Sequence, residues 1–211
     1  MSKSPEVSPQ ASSYKESPSR ELAHTEDFKN FIRENPGAIK NFLKAKDRLV
    51  NEGDKIDEQE MKIELILQKG EGNPVKIYKV RLGGKTFAIK LEDRDLTGPT
   101  PYGGYREFHA AEEAREKLSH IEGIEIVDFG LGYSDDHRDY FVSEWKELPI
   151  LEDYVKDLKR ERKNQKIASL EKRLRAIKSA LGREFLDVYP HNIFYDSPGD
   201  KLILYDINRR L

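Results

Sequence analysis

No cysteine occurs in the 211 residues. That excludes disulfides, thiolate-bound metals and a cysteine nucleophile. Long hydrophobic runs are missing too. No window approaches eighteen apolar residues, so no membrane span is expected. The N-terminal MSKSPEVSPQASSYKESPSRE lacks the apolar centre of a secretory signal. A cytoplasmic protein is therefore the default expectation, with export by a route that reads no such signal left open. Neither sign of charge dominates: 37 Lys and Arg stand against 39 Asp and Glu, a net charge of −2. The one-sided basic surface of a nucleic-acid binder is not indicated. Apolar residues are scarce at 36%, no more than the charged ones, so a polar tail or long solvated helices are expected.

What is present has a clear order along the chain. Residues 1–20 are rich in Ser, Pro and charge, and bury too little apolar surface to offset ordering entropy. They are expected to be a disordered tail. Residues 21–60 are expected to be a helical extension: Thr25 caps a first helix with Phe28, Phe31 and Ile32 on one face, and Pro36 opens a second with Ile39, Phe42 and Leu43. From residue 61 the period changes from helical to alternating. MKIELILQ, VKIYKV and KTFAIKL read as three antiparallel strands, with Gly83-Gly84 as a two-residue hairpin turn. A helix over about 105–119 follows, then strands IEIVDFG and DYFVSEW. After Pro149 come two helices, the second with Leu170, Leu174, Ile177 and Leu181 as its buried stripe. DVYPHN and the hairpin NIFYD–SPGD–KLILYDI close the chain.

Five polar features stand out, and each has an ordinary reading when taken alone. Gly70 and Gly72 are a hairpin turn, or a loop whose amides approach phosphate without Cβ obstruction. Lys90, ending the run FAIK, is an edge lysine or a cation held over phosphates. Glu107 lies on the inward face of helix 105–119, with Ala110, Ala111, Ala114 and Leu118 at helical spacing, and could partner a buried lysine. Glu112 is the rival for that role. Asp187 and Asn192 flank Pro190 in a capped turn, or orient a hydroxyl and offer a neutral oxygen to a cation. Asp206 ends an apolar strand fourteen residues after Asn192, across the SPGD turn, so a hairpin brings both to one end.

In this order, residues 61–211 resemble the protein-kinase-like superfamily. GEGNPVKIYKV resembles the glycine-rich loop and its strand, FAIK the strand-three lysine motif, and DYFVSEWKELP the strand into the hinge. DVYPHN resembles the catalytic loop with its Asp-x-x-x-x-Asn spacing, and YDIN the Asp-Phe-Gly motif. The literal Asp128-Phe129-Gly130 precedes the hinge and cannot be that motif; it reads as part of the fourth strand. The resemblance implies an α+β, bilobal fold: an N-lobe over 61–146 with a five-stranded antiparallel sheet and one inserted helix, and a shortened helical C-lobe over 147–211 ending just after the metal-binding motif. It implies ATP and Mg²⁺. Lys90 binds the phosphates and Glu107 holds it; Asp187 orients the acceptor hydroxyl; Asn192 and Asp206 take the metal; Gly70 and Gly72 cover the phosphates. Glu144 and Lys146 offer backbone groups to adenine, and Ser143 is the gatekeeper.

The departures from the family pattern are Val75 at the third loop glycine, Phe185 at the usual histidine, Tyr189 at the usual lysine, and Asn208 at the last glycine of Asp-Phe-Gly. The implied activity is a phosphotransferase, directed at Ser or Thr where the acceptor is a protein. The alternatives are an inactive pseudokinase that holds nucleotide or a protein partner over the shortened C-lobe, and an unrelated α+β interaction protein. The acceptor, protein or small molecule, is not readable.

Overall fold

The computed structural model describes residues 21–58, 61–69, 75–93, 103–134 and 138–209. In chain order the elements are β1 (Glu21–His24), α1 (Glu26–Glu34), α2 (Ala38–Lys46), β2 (Lys55–Glu58), β3 (Met61–Lys69), β4 (Val75–Leu82), β5 (Lys85–Asp93) and α3 (Gly104–Leu118). Then follow β6 (Ile124–Ile126), β7 (Phe129–Ser134), β8 (Arg138–Glu144), α4 (Leu151–Arg160), α5 (Asn164–Leu181) and β9 (Phe185–Leu186). A single 3-10 turn at Pro190–Asn192 leads into β10 (Ile193–Asp196), β11 (Lys201–Leu204) and β12 (Asn208–Arg209).

The main sheet has seven antiparallel strands in the order β1-β7-β8-β5-β4-β3-β2, where the sequence pattern predicts five. The two additional strands are its edges. Both come from the stretch expected to be purely helical, and both are four residues long. Only Ile56 of β2 is buried, which leaves too little apolar alternation for a period-2 signal. β2 pairs with β3 and β1 with β7, so the N-terminal segment brackets the sheet as well as covering it. The tail over residues 1–20 lies outside the described residues.

A second correction concerns IEIVDFG. It is two strands in two sheets. Ile124–Ile126 pairs in parallel with β11, while Phe129 begins the strand that pairs with β8. The chain changes sheets at Val127-Asp128. Asp128 is exposed and meets Arg115 at 3.3 Å. Gly130 has a packing role: a Cβ there would sit 2.4 Å from the ring of Phe28, so a glycine lets α1 lie against the sheet. The expected Gly83-Gly84 turn has φ of 51° and 78°, closing the β4–β5 hairpin at the Leu82–Lys85 pair in a conformation that suits glycine.

Two cores result. On the outer face of the sheet, Phe28, Phe31 and Phe42 of α1 and α2 cover Leu65, Tyr78, Ile89 and Leu91. On the other side, α3 carries Phe108, Ala111 and Leu118 into a core with Phe129, Leu170, Ile177, Leu181 and Ile193. Alternation along β5 then decides where the site falls. Ile89 and Leu91 go to the outer core, so Lys90 between them turns to the opposite face, toward α3.

Candidate functional site

Lys90 Nζ lies 3.1 Å from Glu107 Oε2 and 3.0 Å from Asp206 Oδ1. Three elements far apart in sequence meet at this ammonium: β5, the first turns of α3, and the segment after β11. Glu107 is 3% exposed. Glu112, the rival for the pairing, is exposed and meets His109 at 2.9 Å. Burial pushes the Glu107 carboxyl up to about 7, against the opposing pull of Lys90. For Lys90, burial works to lower the ammonium's pKa, but Glu107 and Asp206 together outweigh it. The ammonium is held charged, well above the ordinary lysine value.

The loop after β9 is built around Asp187, which adopts a left-handed backbone with φ of 64°. A non-glycine residue there is uncommon, although Asp tolerates it better than most. The conformation aims the Asp187 carbonyl into the loop. It accepts from the Tyr189 N–H at 2.7 Å and from Asn192 Nδ2 at 2.9 Å. That bond turns the Asn192 amide nitrogen into the loop, and the side-chain oxygen Oδ1 is the atom a cation could use. The Tyr205 N–H donates to the Asn192 carbonyl at 3.2 Å, so Asn192 and the residue before Asp206 face each other across the hairpin end. The Tyr205 hydroxyl donates to the His191 carbonyl, tying the same two strands again.

Asn208 joins these parts. Its Nδ2 donates to Asp187 Oδ2 and to Asp206 Oδ1, at 3.3 Å each, and the residue is buried. β12 is held in place by pairing with β9, Asn208 opposite Leu186. From sequence, Asn208 counts only as a departure from glycine. A hydrogen-bonding side chain at a position where a small residue is expected was the one available signal. Arg209 continues the connection to α3, with Nη1 2.6 Å from Glu113 Oε2.

An Asn208→Gly variant loses two bonds to charged acceptors, an expected cost of about 1–3 kcal/mol. Asn208→Asp is nearly isosteric but places a third carboxylate between two others. It is expected to melt lower than Asn208→Gly at pH 8 and to recover at pH 5. Thermal melts of both variants at the two pH values check this; a pH-independent penalty for the Asp variant would remove the bridging role.

The metal candidates fit a hard cation in chemistry and in number. The bonds from Lys90 and Asn208 to Asp206 both fall on Oδ1. An all-oxygen set of two protein groups suits Mg²⁺, which keeps several waters and substrate oxygens in its shell. Among the described residues no cluster of three or more His, Asp or Glu is poised for a metal.

The Glu144 N–H donates to the Asp128 carbonyl at 2.6 Å and the Trp145 N–H to Thr86 at 3.0 Å. The N–H groups of both residues are thereby engaged. The side chains of Glu144 and Lys146 pair with each other at 2.6 Å. Gly70 and Gly72 lie outside the described residues. A cavity of about 660 Å³ does border Ser143–Trp145, but it lies among Phe28, Phe31 and Phe87, on the side away from Lys90. A separate open groove of about 720 Å³ runs beside Asp187, between residues 185–189 and the end of α5.

No family model and no curated protein matches the chain. Among solved structures, a BubR1 kinase domain is similar with a TM-score of 0.42 and 16% identity, over 86% of this chain and 59% of that one. The chain thus spans less than two thirds of that domain, and so loose a likeness carries no weight for activity. Among the described residues the frame is mixed α+β, with a large antiparallel sheet and five helices, and is compatible with a kinase-like fold.

Proposed function

We propose that the chain is an ATP- and Mg²⁺-dependent phosphotransferase of the protein-kinase-like type, directed at Ser or Thr hydroxyls where the acceptor is a protein. One observation carries this reading: Lys90 sits between Glu107 and Asp206, and Asn208 links Asp206 to Asp187. A part-buried lysine clamped by two carboxylates, one of them fully buried, is costly as a purely structural device. As a phosphate-binding device it is economical, because the ammonium is already charged and oriented. Phosphoryl transfer depends chiefly on positioning and charge stabilisation.

In this reading Lys90 donates to the phosphate oxygens and Glu107 fixes its position. Asp206 and Asn192 hold the cation, which supplies neutralisation of phosphate charge. Asp187, its carboxylate steadied by Asn208, orients the acceptor hydroxyl and accepts its proton. The Glu144 carbonyl receives an adenine amino group.

A second reading, a module that holds nucleotide without turnover, is favoured by two positions. Phe185 is buried in the core with Lys117 Nζ 5.0 Å from its ring centre, so it cannot serve as the family's polar loop residue. Tyr189 is half exposed and stacks on His191, bringing no charge of its own to the transferred group.

The nucleotide site is tested by thermal shift. A ligand present at a hundred times its Kd stabilises the native state by about 2.7 kcal/mol. ATP with Mg²⁺ is expected to raise the melting temperature by several degrees, and ATP with EDTA by clearly less. No shift with ATP and Mg²⁺ would end both readings. A shift without ATP turnover would select the second.

A further inference from the structure

Helix α5 presents two kinds of cation. Lys166 and Arg173 point toward the β10–β11 turn and both meet Asp200, at 2.9 and 3.1 Å. Lys172, Arg175 and Lys178 are exposed, and Arg183 lies exposed just past the helix end. None of these four forms an ion pair with a described residue. Residues 172, 175 and 178 recur at three-residue spacing, so they share a face. Glu171 is the one acid beside them on the helix. Other unpaired cations occur on the surface, but these follow one another along a single helix toward the Asp187 loop.

The row leads to the candidate active site. Lys178 and Arg183 line the open groove of about 720 Å³ whose other wall includes Asp187 and Tyr189. Lys178 Nζ lies 5.2 Å from the centre of the Tyr189 ring, so the helix face and the catalytic loop form one continuous surface. Tyr189 is 50% exposed there, an aromatic surface beside the acceptor position.

We propose that this surface receives an acidic polypeptide, which would be the acceptor of the phosphotransferase reading on which the proposal rests. Charge complementarity sets the sign of the partner. Length sets its class. From Lys172 to the helix end at Leu181 the row covers about 13–14 Å at 1.5 Å per residue. Four or five extended residues, at about 3.3 Å each, span that distance with carboxylates set along the row, and the chain continues toward Arg183 and Asp187. A single sugar or nucleotide-sized anion reaches one or two of the four cations.

The probes are two fluorescent peptides of about a dozen residues, each with one central serine. In one the serine is flanked by glutamates, in the other by glutamines. Binding to the full chain is read by anisotropy at low salt. The glutamate peptide is expected to bind about tenfold tighter, with the advantage shrinking toward 0.5 M salt. Lys172→Gln/Arg175→Gln/Lys178→Gln, three exposed changes, is expected to erase that advantage while keeping the wild-type thermal shift with ATP and Mg²⁺. Equal binding of the two peptides, or an undiminished preference in the triple variant, overturns the proposal. Vesicles of phosphatidylcholine with phosphatidylserine serve as a competitor; their displacing the glutamate peptide from the wild type, while vesicles of phosphatidylcholine alone do not, assigns the row to a membrane surface and overturns it as well. Equal binding of the two peptides by the wild type, with its ATP shift intact, removes only the acceptor class. A missing ATP shift in the wild type removes the phosphotransferase reading itself.

Discussion

Asp206→Ala is expected to lower Mg²⁺-dependent ATP turnover by about 10²–10³-fold, the usual size for one preorganised electrostatic group. Two losses combine. The carboxylate that the proposed reading assigns to the cation disappears, and Lys90 keeps Glu107 as its carboxylate partner. Asn208 also loses one of its two acceptors, so Asp187 is less firmly held. The side chain of Asp206 is a third exposed, and the truncation empties no packed core, so the variant should fold. Asp206→Asn keeps an oxygen and the shape but not the charge, and is expected to fall between alanine and wild type. Steady-state ATP hydrolysis across a Mg²⁺ titration separates the three proteins. Unchanged turnover in the alanine variant would sink the assignment of Asp206 and with it the phosphotransferase reading.

The second large effect is on stability. Lys90→Ala leaves Glu107 buried at 3% exposure with its cation gone. Removing one partner of a buried pair costs about 3–5 kcal/mol, and partial exposure of Lys90 places the expectation at the lower end. For a chain of this size that is a drop of about 6–12 °C in melting temperature. The penalty should depend on pH in a definite sense. Burial already raises the Glu107 carboxyl to about 7 with Lys90 present. A raised acid favours the folded state below its unfolded value near 4.5, and that contribution is lost as pH rises through about 7. Without Lys90 the carboxyl rises further. The variant should therefore be close to wild type at pH 5.5 and much weaker at pH 8. Adding Glu107→Gln should remove the pH dependence. Melts of the three proteins at both pH values decide it; an equal penalty at pH 5.5 and pH 8 contradicts a buried, unpaired carboxylate.

Much of this site is legible in the sequence because its residues sit where local periods change. Lys90 follows an alternating run, which fixes its face; Glu107 sits among alanines and a leucine at helical spacing, which fixes it inward. Asn192 and Asp206 are brought to one end by a hairpin whose SPGD turn is explicit. Asn208 was illegible because its role needs β12 to pair with β9, two residues against two, too short for any periodic signal. β1 and β2 were missed for the same reason. The division of IEIVDFG was hidden because the strand spacing continues through Asp128 while the pairing partner changes from β11 to β8. Charge on α5 reads in sequence as a solvated face; only the positions of Asp200 and the Asp187 groove divide its cations into partnered and unpartnered sets.

The parallel pairing of β6 with β11 has a mechanical meaning. The N-terminal sheet is attached to the C-terminal helices at Glu144–Lys146, and again where Ile124–Ile126 lies along Leu202–Leu204. α3 adds further attachments, sharing a core with α5 and meeting β12 through the Glu113–Arg209 pair. Lys90 and Asp206 are thus held 3.0 Å apart in a frame braced on several sides, and a substitution in any one brace leaves the others to keep them together.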